Sequence, residues 1–281
     1  MKIIKQQHFE GERPLFEQHG IRLEQVTIGE GESAIKECTD IEAADCHLWG
    51  KYPFWHVDRF KIERCQFDAG ARSALWYSND LEMTDTRIDA PKMFREMRGI
   101  KLRNVVINDA DETFWRCRDI EATNLTLHEG TYPFMFCDNI RIDGLKSDSK
   151  YVFQYCRNVE LHHADITTKD SFWECENVTI YDSRIDGEYL AWHSKNVRLV
   201  RCHLSGEQLL CYADNLVLED CTFDETCDRL FEYSNVNADI RGTITNIKNP
   251  TSGHIVADAI GSVTIDANIK QPANCVIEVR Q

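Results

Sequence analysis

The sequence lacks long runs of apolar residues. Every apolar run is far shorter than the roughly 18 residues that a membrane-spanning helix needs. The first residues, MKIIKQQHFEGERP, contain no apolar stretch of the kind found in secretory signals. We therefore expect no membrane segment, no signal peptide and a cytoplasmic location.

Basic patches and closely spaced cysteine pairs are also missing. The net charge is −15, and no Lys/Arg cluster is interleaved with aromatic residues. This balance predicts neither nucleic acid nor an anionic membrane as a partner. The twelve cysteines include no Cys-x-x-Cys pair. In a long chain without a predicted signal, we expect reduced thiols, and we predict no cofactor.

What the sequence has instead is a repeat. An apolar anchor residue, in most units preceded by Asn, Asp or Gly, returns every 19 to 21 residues. Apolar residues also fill the columns two and seven residues after the anchor and six residues before it. The anchors are Ile21, Ile41, Phe60, Leu81, Ile100, Ile120, Ile140, Val159, Val178, Val197 and Leu216.

Polar residues between these columns give a period of two, broken at corners, which is typical of short strands. A unit with three short strands is one coil of a parallel β-helix, and such a coil buries its apolar face only by stacking. The hexapeptide period of left-handed helices is absent. We predict an all-β, single-stranded, right-handed parallel β-helix (solenoid) of about 12 coils with a 19–20-residue repeat.

We expect a single β-helix domain over residues 1–281. An open β-helix exposes strand edges at both ends, so both ends are predicted to be capped. Residues 1–13 are assigned to the N-terminal cap and 14–228 to regular coils. Residues 229–281, where the register loosens, are assigned to less regular C-terminal coils and a cap.

The columns that hold cysteine and the column that holds asparagine are both explained by the fold alone. Most cysteines stand three before or five after the anchor, where Ser, Ala, Val and Leu also occur, so we expect them to pack in the core. The residue before the anchor is often Asn, as at Asn177 and Asn196. Asn, Asp and Gly tolerate the left-handed backbone of a tight corner, and stacked Asn side chains can bond to one another.

Five of the six tryptophans stand five residues before the anchor. Lys36, Arg95 and Gln154 share this column, so we expect its side chains to reach the surface. The next column, four before the anchor, holds Tyr, His, Glu and Arg. We call these two columns the aromatic face. Three interpretations remain open: a track on which sugar rings stack, a cover over the core, and a protein–protein interface.

The carbohydrate interpretation defines candidate site residues. Glycoside hydrolysis needs two carboxyls about 5–9 Å apart. Glu174 and Glu176 share one coil, and His193 lies on the next coil, about 4.8 Å from Glu174 by stacking. These three are the candidate catalytic residues. The candidate substrate-binding residues are Trp55, Trp76, Trp115, Tyr155, Arg157, Trp173, Trp192 and Tyr212.

Catalysis itself is left open. If the protein is an enzyme, a glycan hydrolase, lyase or epimerase-like activity is expected. The coils are short and uniform, however, without the long insertions that usually form the walls of an active cleft. A corner with His162 and His163, near Asp143 and Asp182 in adjacent coils, has metal-binding residue types. A solvated corner is the favoured interpretation, and no metal is predicted.

The short coils, apolar columns and corner Asn column resemble those of pectate-lyase-like right-handed β-helices. Over its whole length the chain is similar to a bacterial family of unknown function, some members of which are labelled hydrogenase. The sequence has no Cys-x-x-Cys pair that would hold a nickel–iron centre or a cluster. The resemblance therefore implies an architecture and no particular chemistry.

Two classes of function follow. The favoured hypothesis is the binding or modification of an oligosaccharide along the aromatic face. The alternative is a non-catalytic rod that uses the same face or its end coils to bind a partner protein or another copy, as a homo-oligomer.

Overall fold

The computed structural model describes all 281 residues. It contains 22 strands and no helix, so no helix is long and apolar enough to cross a membrane. The strands pair in parallel. The chain forms two compact units, residues 1–149 (unit 1) and 150–281 (unit 2), which are described separately below.

Unit 1 contains twelve strands in two ladders. One ladder runs β1-β3-β5-β7-β9-β10-β11-β12, and the other runs β2-β4-β6-β8 and joins β9. The strands are β1 (Lys2–Lys5), β2 (His8–Glu12), β3 (His19–Glu24), β4 (Thr27–Glu32), β5 (Ile35–Ala44), β6 (His47–Leu48), β7 (Phe54–Glu63), β8 (Gln66–Phe67), β9 (Asn79–Ile88), β10 (Arg98–Ile107), β11 (Arg118–Leu127) and β12 (Asp138–Ser147).

Unit 2 repeats this arrangement with ten strands. One ladder runs β13-β15-β17-β19-β20-β21-β22, and the other runs β14-β16-β18 and joins β19. The strands are β13 (Arg157–His162), β14 (Asp165–Lys169), β15 (Glu176–Tyr181), β16 (Arg184–Glu188), β17 (Lys195–Val200), β18 (His203–Ser205), β19 (Asp214–Phe223), β20 (Asn235–Lys248), β21 (Ser252–Thr264) and β22 (Val276–Val279).

The strand register confirms the repeat. Ile100 pairs with both Leu81 and Ile120, and Val178 pairs with both Val159 and Val197, so each anchor lies on the anchor of the coil before it. The fold is the predicted all-β parallel solenoid, with about 15 turns at a spacing of ~19 residues. The prediction of about 12 coils was low. The end strands β1, β2, β20, β21 and β22 also pair in parallel with their neighbours.

Stacked aromatic rings fill the core at the column six before the anchor. In unit 1, Phe114 lies between Phe94 and Phe134, with both pairs of ring centroids 4.4 Å apart and nearly parallel. In unit 2, Phe153 and Phe172 stack at 4.9 Å. All five rings are buried. Burying a ring of this size from water contributes about 1.5–3 kcal/mol, which favours the stacked arrangement.

The predicted corner column has the expected conformation. Asn177 and Asn196 have φ values of 59° and 54°, and the Nδ2 of Asn196 donates to the Oδ1 of Asn177 at 2.9 Å. Left-handed residues recur at other columns that the pattern did not predict, including Phe114 at φ 57°. Consequently the expected third strand is absent from most coils. Before β10, β11 and β12 it is replaced by turns that still stack on neighbouring coils.

The cysteines pack in the core as predicted, and eleven of the twelve are buried. Their thiols also take part in hydrogen bonds between coils. The Sγ of Cys137 accepts the backbone N–H of Cys117 at 3.3 Å and donates to the carbonyl of Phe114 at 2.8 Å. In the same way, the hydroxyl of Ser194 accepts the N–H of Cys175 and donates to the carbonyl of Phe172. Where this column holds Cys or Ser, the small side chain therefore both donates and accepts hydrogen bonds between coils.

Candidate functional site

Left-handed residues place the aromatic face at the surface. Phe114 and Arg116 have φ values of 57° and 56°, and Trp115 lies between them. Because the chain turns at each left-handed residue, the three side chains diverge. Phe114 is buried, Trp115 is half-buried and Arg116 is exposed. The same order recurs in most coils, so the tryptophan column lies along the surface and the next column is open to solvent. The expectation was wrong for Gln154, which is buried and donates to the carbonyl of Asp170 at 3.0 Å, and Cys211 in the same column is also buried.

In unit 1 the tryptophan column forms a continuous stack of rings and cations. Trp55 contacts Trp76 with ring centroids 5.4 Å apart. The guanidinium of Arg95 lies 4.3 Å from the ring centroid of Trp76 and 5.4 Å from that of Trp115. Lys36 lies 5.9 Å from the Trp55 ring on the other side. Neighbours in the column therefore occupy both sides of Trp55 and Trp76 and one face of Trp115.

Polar contacts fix this stack to the coils. The indole N–H of Trp76 donates to the carbonyl of Lys92 at 2.6 Å. Arg95 forms an ion pair with Glu112 at 3.1 Å, and Glu112 also binds Lys92. Trp76, Lys92 and Arg95 each reach the following coil, so the column contributes to coil stacking as well as to the surface.

The exposed column of unit 1 adds polar aromatic groups. His56 forms an ion pair or hydrogen bond with Glu37 at 3.0 Å and meets the ring of Tyr77 edge-on at 5.4 Å. Arg116 lies 5.4 Å from the ring centroid of Phe136. Tyr77 and Phe136 are among the exposed large hydrophobic side chains of the protein. This column presents a mixed aromatic and charged surface.

Unit 2 has a second part of the aromatic face. Trp173 stacks on Trp192 at 5.6 Å, and the indole N–H of Trp192 donates to the carbonyl of Gln208 at 2.6 Å. The ring of Tyr212 stacks between the rings of His193 and Tyr233, with centroid distances of 4.9 Å and 5.5 Å. Both faces of Tyr212 are therefore covered, and Trp173 and Trp192 each have one face stacked on the other.

The candidate catalytic residues lie near one another but do not form a proton relay. Glu174 is exposed, and its N–H donates to the carbonyl of Trp192 at 2.9 Å. Glu176 begins β15 and forms an ion pair with Arg157 at 3.7 Å. His193 packs on Tyr212. No hydrogen bond or ion pair joins either carboxylate to His193.

The candidate substrate-binding residues fall into two groups. Unit 1 contains Trp55 and Trp76 in direct contact, and Arg95 connects them to Trp115. Unit 2 contains the rest. There Tyr155 is exposed, and its N–H donates to the carbonyl of Trp173. The members in unit 2 are Tyr155, Arg157, Trp173, Trp192 and Tyr212.

The histidine corner is occupied by ordinary side-chain pairs. The Nε2 of His162 lies 2.9 Å from the Oε1 of Glu160, and its ring stacks on Tyr181 at 4.7 Å. Asp182 accepts two hydrogen bonds from Arg201, at 2.6 and 2.7 Å, and this contact lowers the pKa of the Asp182 carboxyl. No group of three or more His, Cys, Asp or Glu side chains is placed to hold a metal ion.

Two exposed groups were not identified from the sequence. Trp49, the sixth tryptophan, lies outside the aromatic face and meets the rings of His8 and His47 edge-on. At the end of unit 2, Val263 and Ile265 are exposed within the uncharged stretch AIGSVTI. The absence of charged residues from this stretch is the sequence feature that could have identified it.

These features define the class: a parallel β-solenoid whose surface carries a ladder of stacked aromatic and cationic side chains. The chain belongs to the family described as "Protein of unknown function (DUF3737)", whose model matches residues 2–278. A search of curated proteins finds no match.

Proposed function

We propose that this protein is a non-catalytic binding scaffold and that the aromatic face of each unit binds a partner protein. One observation carries the proposal: the ring faces of the tryptophan column are packed against one another and against Arg95. A partner therefore meets ring edges and the exposed column beside them. Tyr, Trp and Arg are the residue types that contribute most binding energy at protein interfaces.

The distribution of exposed apolar side chains supports this assignment. Most large hydrophobic residues are buried, but the column four before the anchor leaves Tyr77 and Phe136 exposed in unit 1, and Tyr155 and Tyr212 in unit 2. Isolated exposed apolar residues are normal, whereas repeated ones along one column indicate a contact surface. Charged neighbours such as Arg116 and Glu174 would orient the partner.

The carbohydrate hypothesis has less support from the geometry. A sugar ring stacks on an open aromatic face, and both faces of Tyr212 are covered. Of the two candidate carboxylates, Glu176 is paired with Arg157. We take only the architecture from the resemblance to pectate-lyase-like helices, and nothing from the hydrogenase label. We place the function in the cytoplasm, where thiols stay reduced.

The test is site-specific photo-crosslinking in cells that produce the protein naturally. A photoreactive amino acid replaces Tyr77 or Tyr212, and matched controls replace Arg87 on β9 or Asp165 on β14, which are exposed but lie outside the two columns of the aromatic face. We expect one discrete crosslinked protein from the aromatic positions and none from the controls. Equal crosslinking at all four positions, or none at any, would contradict the proposal.

A second experiment, a titration with oligosaccharides, distinguishes the carbohydrate hypothesis from the binding of a partner protein. Intrinsic tryptophan fluorescence is measured against neutral and acidic oligosaccharides. The scaffold proposal predicts no saturable change. A saturable response to one class of sugar, lost in a Trp173→Phe variant, would instead support carbohydrate binding and justify activity assays with Glu174→Gln.

A further inference from the structure

The end of unit 2 leaves part of a strand edge without a partner. β21 pairs with β20 along the register from Ser252 to Thr264. On its other side, β22 pairs only with residues 254–257. No strand of the chain pairs with residues 258–264 on that side. Their outward main-chain donors and acceptors are thus available to another strand.

The apolar columns of the core continue into this open segment. Ile260 pairs in register with Ile244, and Val263 pairs with Ile247; both β20 residues are fully buried. Val263 itself is 44% exposed and Ile265 is 50% exposed. A coil of a solenoid buries its apolar residues only when another coil stacks on it, and this last one has none on its outer side.

The same segment is free of charge. Residues 259–265, AIGSVTI, contain no charged residue and no proline, although proteins usually protect an exposed edge with such residues. The aspartates that bracket it are already paired: Asp258 with Arg280 at 2.8 Å, and Asp266 with Lys248 at 3.5 Å. The edge is therefore locally neutral in a protein of net charge −15.

The first strand of unit 1, in contrast, is a strand whose exposed apolar residue is flanked by charged residues. β1 is Lys-Ile-Ile-Lys, and its Ile3 is 59% exposed, more than Val263. Two lysines flank that apolar pair, and charged edge residues of this kind prevent strand-to-strand association. The contrast indicates that the unprotected edge of β21 has a partner.

We propose that this partner is a second copy of the same chain, bound through antiparallel pairing of residues 258–264 of β21 with the same residues of the other copy. Chains that each carry a charge of −15 repel one another, and this repulsion is smallest where the contact surfaces carry no charge. Self-pairing brings the two uncharged segments together. A two-fold contact of this kind closes as a dimer and does not propagate.

Light scattering coupled to size-exclusion chromatography tests the inference. We expect wild-type protein at twice the 32.6 kDa chain mass. Val263→Lys should return the mass to that of one chain, with dimer affinity reduced at least tenfold, because it places a charge in the uncharged edge. Ile3→Lys, the same substitution at a similarly exposed position, should remain dimeric.

Amide hydrogen exchange and a thermal melt complete the design. Residues 258–264 should exchange slowly in wild type and quickly in Val263→Lys. The variant should still unfold in one cooperative transition, since Val263 is exposed in the single chain, but at a lower temperature because association with a second copy stabilises the folded state. A wild-type monomer at every concentration, or a Val263→Lys variant that stays dimeric, overturns the inference. If Tyr212→Ala dissociates the dimer and Val263→Lys does not, the second copy binds the aromatic face. That result would refute this inference without refuting the proposed function.

Discussion

The thiol of Cys137 lies 2.8 Å from the carbonyl oxygen of Phe114 and accepts the N–H of Cys117, one coil earlier. Both backbone groups are buried and belong to the turns that replace the third strand. Hence the side chain of one coil completes the main-chain hydrogen bonding of the coil before it. The column accepts Cys and Ser for this reason as well as for their small volume.

Replacing Cys137 by Ala should be costly, whereas replacing it by Ser should not. Cys137→Ala removes the partner of a buried carbonyl and of a buried N–H, and leaving such a group unsatisfied costs about 1–3 kcal/mol. We expect a loss of roughly 2–4 kcal/mol in the free energy of unfolding for Ala and under about 1 kcal/mol for Ser. Urea denaturation followed by circular dichroism measures both.

Ser194 provides the reciprocal control. It makes the equivalent two bonds, to the N–H of Cys175 at 2.9 Å and to the carbonyl of Phe172. Ser194→Cys should therefore be tolerated, while Ser194→Ala should destabilise the protein as Cys137→Ala does. If both Ala variants unfold at the wild-type urea concentration, the column needs only small volume.

Arg95 should stabilise the aromatic face by bridging two indoles. Its guanidinium lies over the rings of Trp76 and Trp115 and pairs with Glu112. A partly desolvated cation–π contact contributes on the order of 1–2 kcal/mol. Arg95→Ala should lower the unfolding free energy by about this amount per ring and shift the tryptophan emission to longer wavelength as water reaches the indoles.

The matched control is Arg98, on the same coil but 76% exposed and paired only with Asp119. Exposed ion pairs contribute about 0–1 kcal/mol. Arg98→Ala should thus leave the emission spectrum unchanged. An equal spectral shift in both variants would show that the change does not arise from contacts between Arg95 and the indoles.

Surface carboxylates paired with arginine should show lowered pKa values. Hydrogen bonding to Arg201 holds the pKa of Asp182 below its ordinary value. A carboxyl whose folded pKa is depressed stabilises the fold above its unfolded pKa, and this contribution is lost as the pH falls through the folded pKa. NMR titration of the carboxyl carbon should show the low pKa, and Arg201→Gln should raise it towards the ordinary value.

Arg59→Gln is the control for this titration. Arg59 lowers the pKa of Asp40 in the same way but lies in the other unit. The Arg59→Gln substitution should raise the pKa of Asp40 and leave the pKa of Asp182 unchanged. A rise at both aspartates would indicate a general loss of structure instead of a lost pair.

The sequence was sufficient to predict the repeat and the core because stacking imposes one kind of environment on each column, which is apolar, small or corner-forming in every coil. The anchor register, the buried cysteines and the Asn corner all follow from that constraint. The left-handed conformation of Phe114 did not follow from it. An aromatic residue has no intrinsic preference for this region, and the coil stack imposes it.

The candidate site was predictable only in its position. The columns place Trp55 and Trp76 next to each other at the surface, but a column does not reveal whether the rings open to solvent or stack. That depends on side-chain rotamers, which neighbours such as Arg95 determine. The coil count was low because the last coils keep apolar residues but not the 19–20-residue spacing: Ile244 pairs with Ile260, only 16 residues later.

Cys275 should be the one thiol that reacts in the folded protein. It is half-buried, and the other eleven cysteines are buried. The reactive species is the thiolate, and burial raises the pKa of Cys211 to about 12 and that of Cys227 to about 11. Burial raises the pKa of Cys275 too, so its reaction should be slower than that of a free cysteine.

Intact-mass spectrometry after iodoacetamide treatment at pH 8 counts the adducts. We expect one adduct on native protein and twelve in urea, one for each cysteine. Cys275→Ser should show none until it is unfolded, which assigns the single adduct. Several rapid adducts on the folded protein would mean that the cysteine columns open to solvent. Fewer than twelve in urea without reductant would reveal disulfides, and the thiol-based hydrogen bonding between coils would then have to be reconsidered.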